Sequence, residues 1–158
     1  MFHLAPAVVA NALACEPLNE FEKLLSLAPP CEPPKVNHRF TRDENGKVNL
    51  YSRECILKAD NYYTSRTHRT EHQFIISRGV FEMWSEETGW IFVNANLRPY
   101  HGITKAGTRR AFKIIELTFF TTFHATSLET VEEIEAQLVE PDARLDQLKA
   151  EQNRRAIA

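Results

Sequence analysis

His68 and His72 stand four residues apart at the head of an apolar run that ends in glycine, Thr67-His68-Arg69-Thr70-Glu71-His72-Gln73-Phe74-Ile75-Ile76-Ser77-Arg78-Gly79. In an extended chain, side chains at even spacing share a face. His72, Phe74 and Ile76 therefore line up, and His68 joins them if the chain stays extended. Imidazoles beside large apolar groups on one inward face suggest the lining of a pocket. Imidazole binds metals, carries protons and donates hydrogen bonds, so such a lining can do chemistry. A polar turn, with both rings satisfied by neighbours or water, accounts for the same residues. A third imidazole, His124, falls on one strand face with Phe120 and Thr122.

The elements that must position these groups are short strands and turns. Asn45-Gly46 is a hairpin signal, because both residues tolerate positive φ. Strands are expected at Val48 to Leu57, Thr70 to Ser77, Val80 to Trp84, Trp90 to Val93, Ile103 to Lys105, Arg110 to Leu117 and Phe119 to His124, with turns at Gly79, Glu86 to Gly89, Asn94 to Asn96 and Gly107. Turns this frequent between β-branched and aromatic runs predict a sandwich or small barrel. Trp84, Trp90 and Phe92 read as core, and Cys55 as a small core residue.

Three segments follow: an arm over 1–39, a barrel over 40–126 and C-terminal helices over 127–158. In the arm, Leu18, Phe21, Leu24 and Leu25 make one stripe of a short amphipathic helix, stopped by Pro29 and Pro30 before Pro33 and Pro34. A helix this short needs a surface, either its own barrel or a neighbouring subunit. These four residues are the candidate partner contacts. Thr126 to Glu129 offers a capping box for a helix with Val131, Ile134 and Leu138 on one face. Pro141 opens a second, polar helix with Asp142 at its positive end and Leu145 and Leu148 as its apolar contacts.

Bulk properties narrow the function classes. The 158 residues suit one domain with extensions; 25% are charged and 43% hydrophobic, as in ordinary globular chains. Net charge is −2 and the isoelectric point about 6.3, so no basic excess points to nucleic acid. The basic stretch Thr104 to Arg110 reads as a solvated turn. Cys15, Cys31 and Cys55 are odd in number and form no C-x-x-C pair, which indicates neither a zinc knuckle nor a disulfide scaffold. The apolar stretch 4–14 is too short to span a membrane and lacks the basic flank of a signal peptide. A soluble chain made in the cytoplasm, with no membrane partner, is expected. No G-x-S-x-G elbow or phosphate loop is present.

From about Tyr51 to Thr126 the chain resembles a cupin, a small double-sheet β-barrel with two motifs. Aligned on Gly79, the first motif (H-x-H, E, G) places Arg66 and His68 at its histidines and His72 at its glutamate. The second (P-x-G, H) falls on Lys105-Ala106-Gly107-Thr108-Arg109-Arg110, with Arg110 at its histidine. More narrowly, the chain looks like the small cupin-like proteins of tailed bacteriophages. The shared runs are His68-Arg69-Thr70-Glu71-His72, Gly107-Thr108-Arg109-Arg110, Thr121-Thr122-Phe123-His124-Ala125-Thr126 and Glu133-Ile134-Glu135-Ala136-Gln137-Leu138.

The resemblance implies a mainly β, jelly-roll fold. In metal-binding cupins it would supply three histidines and a carboxylate, but here Arg66 and Arg110 take two of those positions, and arginine has no lone pair to give. A divalent metal is then left to His68, His72 and His124, and no cofactor is the expectation. The arginines, with His68 and His72, instead favour a carboxylate, phosphate or nucleotide. Glu116 is expected to be either Arg110's ion-pair partner or an exposed end residue. As a whole the resemblance implies a non-catalytic phage accessory or virion-associated protein acting through protein contacts, with other virion proteins or a second copy as partner. Its alternative is a small-molecule-binding cupin, either a metal enzyme or a sequestering protein for an anion.

Overall fold

Asp43 and Gly46 close the first hairpin. The Asp43 carboxylate accepts from the backbone amides of Asn45 and Lys47, each at 2.9 Å, and Gly46 takes φ 77°. The hairpin joins β1 (Lys35–Arg42) to β2 (Val48–Leu57), paired from Lys35↔Ile56 to Arg42↔Val48. These features belong to a computed structural model that describes residues 18–30 and 33–157. Cys15, Cys31 and the apolar stretch 4–14 lie outside the described residues.

The remaining strands are β3 (Tyr62–Thr64), β4 (His72–Arg78), β5 (Val80–Ser85), β6 (Gly89–Asn94), β7 (Tyr100–Thr104), β8 (Ala111–Ile114) and β9 (Thr118–Ala125). They form two antiparallel sheets, ordered β1-β2-β9-β4-β7 and β3-β8-β5-β6. With β1 set aside, eight strands remain, and the chain crosses between sheets at every connection but the β5–β6 hairpin. This is the double Greek key of a jelly roll, and the expected mainly β class holds.

The core lies between the sheets. Phe74, Ile76 and Leu57 from the first meet Phe81, Met83, Val93, Phe112 and Ile114 from the second. The step from β4 to β5 passes through Gly79 at φ 123°, where an added Cβ would sit 2.1 Å from Thr118 Oγ1. Only glycine fits both the backbone angle and this approach of β9.

Three helices dress the barrel. α1 (Leu18–Leu25) lies on the outer face of the second sheet, with Leu18, Phe21 and Leu25 against Tyr62, Ala111, Trp84 and Trp90. α2 (Val131–Leu138) packs Ile134 and Leu138 against Tyr51 of β2. α3 (Ala143–Ile157) starts at Asp142, whose carboxylate accepts from the Leu145 amide at 2.9 Å. It runs back to α1, where the buried Gln152 amide donates to the Ala28 carbonyl at 2.6 Å. Among the described residues no helix is long and apolar enough to cross a membrane.

Several expectations are corrected here. Leu18, Phe21 and Leu25 are buried in the chain's own fold, so they are not a surface for a partner; of the four, Leu24 alone is exposed, at 39%. β1 begins before residue 40, and β3 was not foreseen. The capping box sits four residues later: Thr130 caps α2 and accepts from the Glu133 amide at 3.3 Å, while Glu129 pairs with Arg42 at 2.7 Å. Phe92 is 64% exposed, because its side of β6 continues the outer face beyond the cover of α1. The basic stretch 104–110 is not a solvated turn throughout. Arg109 bonds Glu22 of α1 with two contacts at 2.7 Å, and Arg110 turns into the barrel.

Candidate functional site

Strand register sets the imidazoles side by side. Across the first sheet, Phe40 stands opposite Tyr51, Tyr51 opposite His124, and His72 opposite Thr104. The rings of His72 and His124 meet at 4.5 Å between centroids, completing one row over five strands. Phe74, two residues along β4 from His72, and Phe120, four residues before His124 on β9, pack in the barrel core, so the row faces inward. His68 comes from the segment before β4, with its ring 4.6 Å from that of His72. An isolated bridge to Val139 and the bond from Gly107 N to His68 O, 2.7 Å, hold it there.

The end of the barrel above this row is closed by the chain itself. Past α2, Arg69 N donates to Leu138 O at 2.8 Å and Glu140 N to Thr67 O at 2.9 Å. His72 and His124 are buried, and His68 partly so.

Burial decides the charge state of the row. Desolvation pulls the His68 pKa down to about 4, and the nearby His72, Arg110 and Arg53 push the same way. Desolvation, then His72 and His68, takes His124 to about 3. His72 is lowered as well, by burial first and by Arg110, against an opposing bond to the Thr70 carbonyl. All three rings are neutral at physiological pH. Beyond them in the row, burial pushes the Tyr51 phenol up to about 12, and its hydroxyl stands 2.6 Å from His38 Nδ1.

Two arginines face this interior: Arg53, half-buried and 3.8 Å from the Glu135 carboxylate, and Arg110, whose charge is buried. Arg110 is 9% exposed, and among the described residues no carboxylate lies within ion-pair distance of it. The guanidinium donates to Thr104 Oγ1 at 2.5 Å and stands over the Phe74 ring at 5.1 Å, a cation–π contact. Arg66 does not join it: its side chain pairs with Asp146 of α3, outside the barrel. Glu116 is exposed and accepts from the Asn96 amide at 2.7 Å, so it is an end residue and not Arg110's partner.

A divalent metal finds imidazole donors here but no completed set. The donors have the right chemistry, since neutral imidazoles offer lone pairs. Yet among the described residues no three His, Cys, Asp or Glu side chains are arranged to hold a metal ion. No carboxylate completes the set, and the Arg110 charge opposes a cation. His68, His72 and His124 are brought together as rings without converging as ligands.

Two participants escaped the sequence reading. Thr104 orients Arg110, and Arg53 sits opposite Thr122 on the inner face of β2 with its Nε buried and unbonded. Even spacing from Tyr51 to Arg53 to Cys55 carried the second signal; the first needed the β4–β7 register.

No family model matches the chain, and no curated protein matches it in sequence. Its shape is similar to solved structures. Dimethylsulfoniopropionate (DMSP) lyase DddQ from Ruegeria pomeroyi is 19% identical over 61% of this chain and 50% of its own, with a TM-score of 0.44. The Cupin_2 domain of an XRE family transcriptional regulator from Enterobacter cloacae is 16% identical over 60% of this chain and 99% of its own, TM-score 0.45. Lactobacillus farciminis oxalate decarboxylase in a formate complex is 13% identical over 64% and 30%, TM-score 0.48. The chain thus spans half of the lyase and less than a third of the decarboxylase. The likeness is one of fold alone, and the strand order already gives that fold as a jelly roll. In this barrel the buried charge of Arg110 sets the chemistry of the interior.

Proposed function

We propose that this chain is a ligand-binding cupin-like protein whose barrel interior holds a small anion against Arg110. The observation that carries this reading is a buried guanidinium with no carboxylate partner among the described residues, set beside three neutral imidazoles. An isolated charge taken out of water is costly unless it is paired and hydrogen-bonded. Thr104 and Phe74 hold Arg110 in place but cancel none of its charge. A bound carboxylate or phosphate would do so through charge-assisted hydrogen bonds. The expected binding set is Arg110, His68 and His72; Arg66 has its partner in Asp146.

The accessory role in a phage particle that the sequence resemblance implies would need a docking surface. The arm's stripe is not that surface, because Leu18, Phe21 and Leu25 are spent on the second sheet.

Titration calorimetry of the full chain with propionate and with inorganic phosphate tests the reading. At least one anion binds, and Arg110→Gln weakens it tenfold or more while the circular dichroism spectrum is unchanged. Absence of binding by both anions, or equal affinity in a folded Arg110→Gln protein, overturns it.

A further inference from the structure

The hydrogen bonds around the row say more about the ligand than its charge, provided the anion reading above holds. His72 Nδ1 faces the Thr70 carbonyl at 3.3 Å. A carbonyl only accepts, so Nδ1 carries the proton, and in a neutral ring Nε2 is then a bare acceptor. Among the described residues no hydrogen bond to it is seen, and it is not one of the fully buried atoms, so it is open to a donor from solvent or ligand. Nδ1 of His68 and Nδ1 of His124 are buried with no hydrogen-bond partner, and His124 spends its Nε2 on Thr122 at 2.9 Å. The row thus presents one open acceptor and two buried nitrogens that lack a partner, beside a buried cation with no carboxylate among the described residues.

A plain carboxylate answers Arg110 alone. Its oxygens only accept, so against Nε2 of His72 they would set lone pair on lone pair. A hydroxyl removes the conflict, because its proton goes to Nε2 while its oxygen can accept from a neighbouring imidazole N–H. The wall beside Arg110 is apolar: Phe74 stacks on Phe120 at 5.4 Å between centroids and lies 5.9 Å from Tyr100. That wall suits a carbon skeleton better than an inorganic anion.

We propose that the ligand is a short hydroxycarboxylate, with its carboxylate on Arg110 and its hydroxyl donating to Nε2 of His72. Thr104 links the two ends, since it stands opposite His72 across β4 and β7 and takes a bond from Arg110. Both functional groups of one small molecule are thereby reached, one from β4 and one from the loop before β8, with Thr104 of β7 between them.

The test compares racemic glycerate with propionate by titration calorimetry on the full chain, in the native protein and in His72→Phe and His72→Gln, each checked for folding by thermal melting. Glycerate binds at least tenfold tighter than propionate to the native protein. The gap falls below threefold in His72→Phe, where no acceptor remains, and reappears in part in His72→Gln, whose amide oxygen accepts. Equal affinity of glycerate and propionate overturns the hydroxyl assignment and leaves the anion reading standing. A gap that survives in folded His72→Phe overturns the role of His72. If neither compound nor phosphate binds, both readings fall.

Discussion

Acid acts on this barrel by protonating rings that the fold keeps neutral. His68 and His124 titrate near 4 and 3 in the folded chain, against about 6.5 when unfolded. As pH falls through 6.5 the unfolded chain takes up protons that the folded chain refuses, so stability is lost from there down to the folded values. The groups facing these rings are His72, Arg110 and Arg53, which add repulsion as charge builds. The urea midpoint is therefore expected to fall steadily from pH 6.5 to 5, before most carboxylates titrate, with a loss on the order of a few kcal/mol by pH 4. His124→Phe flattens that slope; a native midpoint constant from pH 7 to 5 would refute the linkage. At this scale much was legible in the sequence. Even spacing put His72 with Phe74 and His124 with Thr122, and both faces turn inward. The direction of Arg66 was not legible, because its partner Asp146 lies eighty residues on, in a helix whose docking no local pattern reveals.

The helices show where reading by periodicity stops. The stripe of α1 is visible in the sequence, but periodicity does not choose between its own barrel and a neighbour as its destination. The answer lies in one polar residue that the stripe does not include. Glu22 is fully buried on α1; it receives both bonds of Arg109 from the loop before β8 and one from Arg144 of α3. The N-terminal helix, the barrel and the C-terminal helix are clamped chiefly at this carboxylate. Removing it leaves the two arginines only the longer Asp142 contacts, at 4.0 and 3.5 Å, and the Asn19 oxygen that Arg109 already holds, and breaking one side of a buried pair costs about 3–5 kcal/mol. Glu22→Ala should lower the unfolding free energy by that amount, and Leu24→Ala, on the exposed side of the same helix, by under about 1 kcal/mol. Equilibrium urea unfolding followed by circular dichroism decides; similar small losses in both variants would show that the clamp does not hold α1. β1 was hidden for a related reason: its alternation is blurred by Lys35, Arg39 and Arg42, charges suited to a sheet edge.

On the scale of the whole molecule, the fold resolves a conflict between burial and access. The jelly roll collects apolar side chains between its sheets and leaves one end for the imidazole row, and there the C-terminal segment crosses over. Its hold is modest: two backbone bonds between 67–69 and 138–140, a bridge at His68 and Val139, and Ile134 with Leu138 over Tyr51. The ladders joining β2, β9 and β4 are far longer. Local opening draws on the weakest cooperative unit, so on the anion reading proposed above a ligand for Arg110 would enter by parting this crossing rather than the sheets. His68 belongs to the crossing and to the site at once, and a ligand that touches His68 must stabilise the closed form by mass action. Hydrogen exchange measured residue by residue reads this directly. Without ligand, the amides of Arg69 and Glu140 exchange faster than those of Ile76 and Thr121. Saturating glycerate slows Arg69 and Glu140 at least tenfold and leaves Ile76 within about twofold, since the strand core opens only with global unfolding. Equal slowing at all four amides would mean that the ligand stabilises the barrel as a whole and that the crossing is no gate. No slowing at Arg69 and Glu140 would place the ligand away from His68.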